Sequence, residues 1–129
     1  MGLRHTTTTD GPALERQLLG RLLGLCDEQR TLYEEVLDLS RQQRELVRSG
    51  ASLSDVRGVL ERKKQRLDMI RRLDLTERDS KQRWREGRAG WSANGRTRLH
   101  HALADLGRII EDILACEEET DLELLQQCR

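Results

Sequence analysis

The sequence predicts an all-α protein: an antiparallel bundle of long helices, or a coiled-coil hairpin, with a third long helix at its C-terminal end. Three observations support this fold class. Between residues 18 and 46, nine positions follow alternating spacings of four and three residues, which is the heptad pattern of one long packed helix. Aromatic residues make up only 2% of the chain, and proline occurs once. Leucine dominates the apolar residues, and leucine, arginine and glutamate favour helix over strand.

The first predicted helix covers residues 12–48 and carries the heptad stripe. Asp10 can cap its start, and Pro12 fits its first turn. Residues 1–11 are expected to form a disordered tail before a single helical-bundle domain, residues 12–129. The stripe consists of Leu18, Leu22, Leu25, Gln29, Leu32, Val36, Leu39, Gln43 and Leu46. Further apolar residues flank it, so the helix is expected to contact two neighbours, and its two glutamines are typical of positions that fix helix register.

Two more helices are predicted after this one. Gly50 is a C-terminal capping residue, and Ser52 can cap the start of a helix over about residues 53–86. So short a turn between long helices predicts an antiparallel hairpin. Three glycines between residues 87 and 95 indicate a loop. The last helix is expected over about residues 96–127, again with apolar residues in four-three spacing.

Charge and cysteine content exclude several classes of protein. The chain has 23 basic and 23 acidic residues, and its three cysteines have no C-x-x-C spacing, so neither a disulfide framework nor a zinc site is expected. No signal peptide and no apolar run long enough to span a bilayer is present, which favours the cytosol. The stretch from Arg57 to Arg88 is basic, but acidic residues interleave with it and it has no nucleic-acid-binding motif.

The sequence offers no pattern typical of catalysis. It lacks a glycine-rich phosphate loop, an H-E-x-x-H motif and a nucleophile elbow. His100 and His101 point about 100° apart on a helix, so they cannot readily share a metal ion. We therefore expect no enzyme activity, no cofactor, no metal ion and no catalytic residue. Trp84 and Trp91 bracket the glycine loop and could either anchor a partner or close the end of the bundle.

The layout resembles the FlgN-like flagellar export chaperones, a family of small cytosolic helical proteins that escort hook-associated proteins to the type III export gate. The resemblance rests on the leucine-rich first helix, the turn over residues 47–50, the segment 59–67 and the closing segment 113–125. It implies that the last helix contacts the client. Carried over to this chain, the client-binding residues would be Ile109, Ile113, Leu114, Leu122, Leu124 and Leu125.

We therefore expect a cytosolic, non-enzymatic chaperone that binds an amphipathic helix of a flagellar hook-associated client and keeps it unassembled. The alternative is a structural coiled-coil adaptor that self-associates through the stripe of the first helix, and a homodimer would add burial to a core poor in aromatics. A nucleic-acid-binding helical protein is the third interpretation. The apolar stripe at the chain end is interrupted by acidic residues, so it is weakly held and could receive a helix.

Overall fold

The computed structural model describes the backbone from Gly2 to Cys128, and the side chains from Gly11 to Cys128 except that of Arg88. Within this part the chain is entirely helical and turn structure, with no strand. The elements are α1 (Gly2–Arg48), α2 (Leu53–Thr76), α3 (Arg78–Glu86), a 3-10 turn (Arg88–Gly90) and α4 (Ala93–Gln127). The predicted all-α class, with a long first helix and a long C-terminal helix, is confirmed.

The long helices run up, down and up, with α1 packed against both of the others. Lys63 of α2 bonds to Gln43 and Asp74 bonds to Gln29, so residue numbers rise on one helix as they fall on the other, as expected for an antiparallel hairpin. In contrast, α4 runs parallel to α1. Arg44 pairs with Glu119 near the end of both helices.

The core lies along the predicted stripe of α1. Leu18, Leu22, Leu25, Gln29, Val36 and Leu39 are all buried. One apolar cluster joins α1 to α4 around Cys26 and Leu106, and a second joins α1, α2 and α4 around Val36, Ile70 and Ile113. The stripe is therefore used inside the molecule, where it holds the other two long helices.

The turn after α1 follows the predicted capping chemistry. Gly50 has a φ of 71°, the left-handed conformation that glycine adopts without a steric penalty. The Ala51 N–H then bonds to the carbonyl of Leu46, which closes the end of α1. The side chain of Ser52 accepts a hydrogen bond from the backbone of Asp55 and so caps α2.

Three predicted helix limits differ from the structure. The helix predicted over 53–86 is interrupted at Glu77, whose φ of −98° and ψ of 17° end α2 and start α3. Trp84 of α3 packs against the first core cluster. The last helix starts at Ala93 instead of residue 96, because Ser92 caps it. The first helix begins at Gly2; residues 1–10 have no described side chains, and the disordered tail over 1–11 stays a prediction.

The two tryptophans stack on each other beside the glycine loop. Their ring centroids are 5.0 Å apart with an angle of 16° between the planes, and the Trp91 Nε1–H donates to the Trp84 carbonyl at 2.6 Å. A Cβ atom on Gly87 would clash with the indole ring carbons of Trp91. Glycine is therefore required at position 87 for the ring to lie against the backbone.

Gly87→Ala is expected to displace Trp91 and to lower the free energy of unfolding by about 1–3 kcal/mol, the usual cost of forced overpacking. Near-ultraviolet circular dichroism, which reports the stacked indoles, measures the first effect, and denaturant unfolding measures the second. Gly90→Ala is the matched control, because a Cβ atom there meets nothing within 4 Å. An unchanged indole signal in Gly87→Ala would contradict the stacked arrangement.

Candidate protein-binding face

The six residues predicted to contact a client do not share one face of α4. Ile113 is 7% exposed, and it and Ile109 belong to the second core cluster. The four leucines, in contrast, are between 43% and 63% exposed. They are Leu114, Leu122, Leu124 and Leu125. The two isoleucines are thus core residues, and only the leucines remain available to a partner.

One line of exposed leucines follows α4. Leu103, Leu114 and Leu125 repeat every 11 residues, which is close to three full helical turns, so they lie on one side of the helix. Their exposed fractions are 53%, 60% and 63%. This line is displaced round the helix from the buried residues Leu106 and Ile113.

A second line of exposed leucines follows α2. Leu53, Leu60 and Leu67 repeat every seven residues and are 80%, 44% and 37% exposed. The four-three spacing of α2 covers two adjacent columns of residues. The sequence alone therefore assigns these leucines, like Ile70, to the packed face of α2. In the structure one column, which includes Lys63 and Ile70, packs inward, and the leucine column stays outside.

An ion pair joins α2 to α4 between these lines. The Nζ of Lys63 donates to Glu117 Oε1 at 2.7 Å and to Gln43 Oε1 at 2.9 Å. Lys63 is buried, whereas the side chain of Glu117 is 43% exposed. The pair fixes which side of each helix faces the other.

The exposed leucines lie beyond this bridge as seen from α1. Successive residues of a helix are about 100° apart when viewed along its axis. On α2, Lys63 therefore lies about 40° from the direction of buried Val59, and Leu60 lies about 100° from it in the same direction of rotation. On α4 the bridging glutamate lies about 40° round from buried Ile113, and Leu114 about 100°. Both lines of leucines therefore border the same seam on the side away from α1. We name this surface, formed by Leu53, Leu60, Leu67, Leu114 and Leu125, the α2/α4 face, whereas Leu103, on the same line of α4, lies beside Lys81 and Trp84 of α3.

Rows of charge flank the α2/α4 face, with opposite signs on the two helices. Each leucine of α2 is followed four residues later by a base: Arg57, Lys64 and Arg71. On α4, Leu114 is surrounded by exposed acids: Glu111, Glu118 and Asp121. The imbalance extends over the whole segments, since residues 53–98 hold 14 basic and 7 acidic residues and residues 99–129 hold 2 basic and 8 acidic ones.

A second group of polar contacts between the helices, around Asp74, resembles the contacts around Lys63. Gln29 Nε2 donates to Asp74 Oδ1 at 2.7 Å and to the Ile70 carbonyl at 3.4 Å. Lys81 of α3 donates to the same carboxylate oxygen at 2.6 Å. Both glutamines of the α1 stripe, Gln29 and Gln43, thus form hydrogen bonds to residues of α2, as expected of residues that fix the register of helices.

The start of α4 is tied to α1 by Glu15. Its carboxylate accepts hydrogen bonds from the backbone N–H of Ser92 and, at 2.7 Å, from the Ser92 hydroxyl. These bonds stabilise the charged form and lower the pKa of Glu15 below its ordinary value. The contact holds α4 in register with α1 and has no arrangement typical of a reactive site.

The other titratable groups also point to structural roles. Burial raises the pKa of the Cys26 thiol, which disfavours the reactive thiolate, and burial together with Asp74 raises the pKa of Tyr33. A cavity of about 350 Å³ beside Trp84 is lined by buried residues of α1 and α4, by exposed Leu103 and by Arg85 and Lys81, and Lys81 is already bonded to Asp74. Among the described residues, no group of three or more His, Cys, Asp or Glu side chains could hold a metal ion.

No helix within the described residues has the length and apolarity needed to cross a membrane. No protein-family model, no curated protein and no solved structure matches the chain.

Proposed function

We propose that this protein is a non-enzymatic helix-binding chaperone or adaptor that holds an amphipathic helix of a client protein on the α2/α4 face. The observation that carries the proposal is the pair of exposed leucine lines on one side of a three-helix bundle. Five exposed leucines on one side of two helices are more than scattered surface apolar residues, and apolar surfaces of this kind are typical of sites of protein association.

The geometry fits a helix better than other ligands. The ion pair between Lys63 and Glu117 joins two antiparallel helices, and each of them carries exposed leucines on the side away from α1. An amphipathic helix buries its apolar stripe against two apolar lines of this kind, with anchors at heptad spacing. Because the flanking charges are basic on α2 and acidic on α4, the client helix should be acidic on the side next to α2 and basic on the side next to α4.

The resemblance to the FlgN-like flagellar export chaperones supplies the client class within this proposal. The client would be a cytosolic hook-associated type of protein, bound through a helical segment before its export and assembly. The contact residues differ from those that the resemblance implies: Leu114 and Leu125 remain, and Ile109 and Ile113 are replaced by the leucines of α2. Leu124 lies on the column of Ile113, and Leu122 lies about 180° round α4 from it.

Self-association through the stripe of α1, the alternative derived from the sequence, has little support, because that stripe is largely buried against α2 and α4. Nucleic-acid binding rests on the basic row of α2 alone. That row stands beside an acidic row on α4, which would repel phosphates.

Capture of a client measures the proposed function directly. Co-expression with a tagged helical segment of a hook-associated protein should co-purify this chain, and Leu60→Glu or Leu114→Glu should each weaken capture at least tenfold, since each places a charge in the apolar contact. Met69→Glu is the matched control: Met69 is 44% exposed, as Leu60 is, but lies on the opposite edge of α2. Equal capture by Leu60→Glu and Met69→Glu would remove the α2/α4 face from the proposal.

A further inference from the structure

The charges beside the α2/α4 face make this surface complementary to itself. Arg57 and Lys64 on α2, and Glu111 and Glu118 on α4, are exposed and form no ion pair with another residue in the described part of the chain. The basic row of α2 and the acidic row of α4 border one apolar strip. A partner that matches both rows must carry acids opposite α2 and bases opposite α4, and a second copy of this chain does so when turned about a two-fold axis.

We propose that a second copy of this chain covers the α2/α4 face, with α2 of each copy packed against α4 of the other. The two-fold axis runs parallel to the helices. This rotation exchanges the sides of the face, so that each basic row meets an acidic row. It also keeps the helix directions, so that α2 of one copy lies antiparallel to α4 of the other, as α2 and α4 lie within a chain.

The register of the ion pair between Lys63 and Glu117 predicts which charges meet. If these two residues are level, antiparallel helices bring Lys64 within two residues of the level of Glu118, or about 3 Å along the axis. Arg71, which forms an exposed ion pair with Asp68 of its own helix at 3.6 Å, comes equally close to the level of Glu111. The two-fold axis repeats both contacts, so four ion pairs would flank a strip of leucines.

The alternative two-fold axis, perpendicular to the helices, is disfavoured by charge. It would place α2 on α2 and α4 on α4, so that bases face bases and acids face acids. Like charges facing one another across an interface cost binding energy and suppress that arrangement. The segregation of charge between α2 and α4 therefore selects one dimer over the other.

The face is large enough for a stable interface. The 24 residues of α2 extend for about 36 Å, and two adjacent helices are about 20 Å wide, which gives roughly 700 Å² on each copy. A standard protein interface covers about 800 Å² on each partner. The whole chain exposes 9360 Å², so the dimer would cover less than a tenth of its surface.

This dimer needs no client, so it goes beyond the proposed function. Where that function also holds, client and second copy would compete for the same leucines, and the dimer would be the client-free form. The competition rests on the proposed function, whereas the dimer does not. Dimerisation is therefore measured on the purified chain alone, so that either idea can fail without the other.

Charge reversal tests the dimer by sedimentation velocity. The basic-reversed chain carries Lys64→Glu and Arg71→Glu, and the acid-reversed chain carries Glu111→Lys and Glu118→Lys. The unaltered chain should dimerise at about 100 µM or below, and each reversed chain alone should dimerise at least tenfold more weakly. An equimolar mixture of the two reversed chains should recover the dimer, because opposite charges then meet on both sides.

Two further samples make the outcome decisive. A chain with Arg16→Glu and Arg41→Glu, which changes the charge equally on the exposed side of α1, should dimerise as the unaltered chain does. A chain with all four reversals should also recover the dimer, whereas the α2-on-α2 arrangement would leave it weak. A monomeric unaltered chain at about 100 µM, or reversed chains that dimerise normally, would overturn the proposal; circular dichroism verifies that each chain is folded.

Discussion

Ile113→Ala is expected to lower the free energy of unfolding by about 2–5 kcal/mol, whereas Leu114→Ala should change it by less than about 0.5 kcal/mol. The two residues are neighbours on α4, and both belong to the client-binding stripe that the family resemblance implies. Ile113 is 7% exposed and packs with Val36 and Ile70, so truncation leaves a cavity at the junction of three helices. Leu114 is 60% exposed and loses few contacts.

Urea denaturation followed by far-ultraviolet circular dichroism measures both changes, provided that the slope of the transition stays the same as that of the unaltered chain. The measurement should be made at a low protein concentration, since dimerisation stabilises the folded chain by mass action. Equal costs for the two substitutions would show that α4 is rotated relative to the structure, and the α2/α4 face would then be assigned to the wrong leucines.

The sequence identifies α1 and its role well because heptad periodicity is strong there. Its nine-position stripe predicts a helix that packs on two sides, and both glutamines of that stripe do bond to groups of α2. The caps at Gly50 and Ser52 are also confirmed, since each depends on a local rule for glycine or serine. Local chemistry and a long repeat suffice for these features.

The candidate face is harder to derive from the sequence. Four-three spacing on α2 includes Leu60, Lys63 and Leu67, but it does not tell which of its two columns packs inward. An apolar scale would bury the leucines and leave the lysine outside, and the structure does the reverse. The choice depends on Gln43 and Glu117, which lie 20 residues before and 54 residues after Lys63, so no local window of sequence contains it.

The same limit applies to α4. Leu99, Leu106 and Ile113 show the inner column at spacings of seven residues, which would have placed Ile113 in the core. The family resemblance assigned it instead to a client surface. Leucines 103, 114 and 125 repeat at 11 residues, and this period becomes visible only when the inner column is known. The exposed side of a helix with a weak apolar repeat can therefore be identified only when the helix that it packs against is known.

Glu117→Gln is expected to destabilise the bundle by about 1–3 kcal/mol, and Lys63→Met to change its stability by less than about 1 kcal/mol or to increase it. Glutamine at position 117 still offers an amide oxygen to the Lys63 ammonium group, but it removes the negative charge that compensates this buried cation, and the other close partner, Gln43, is neutral. Removal of the lysine leaves a glutamate that is 43% exposed and can be hydrated, while methionine fills the buried position with an apolar chain of similar length.

Denaturant unfolding at neutral pH compares the two variants, and the double variant Lys63→Met with Glu117→Gln completes a thermodynamic cycle. In the double variant the penalty of Glu117→Gln should largely disappear, because the penalty arises from the uncompensated charge of the buried lysine. If Lys63→Met instead costs as much as Glu117→Gln, the attraction between the two charges outweighs their desolvation, and the bridge under the α2/α4 face is a net source of stability. With the expected result, the bridge fixes the orientation of α2 against α4 at little gain in stability, so the lysine serves mainly to keep the leucine column outside.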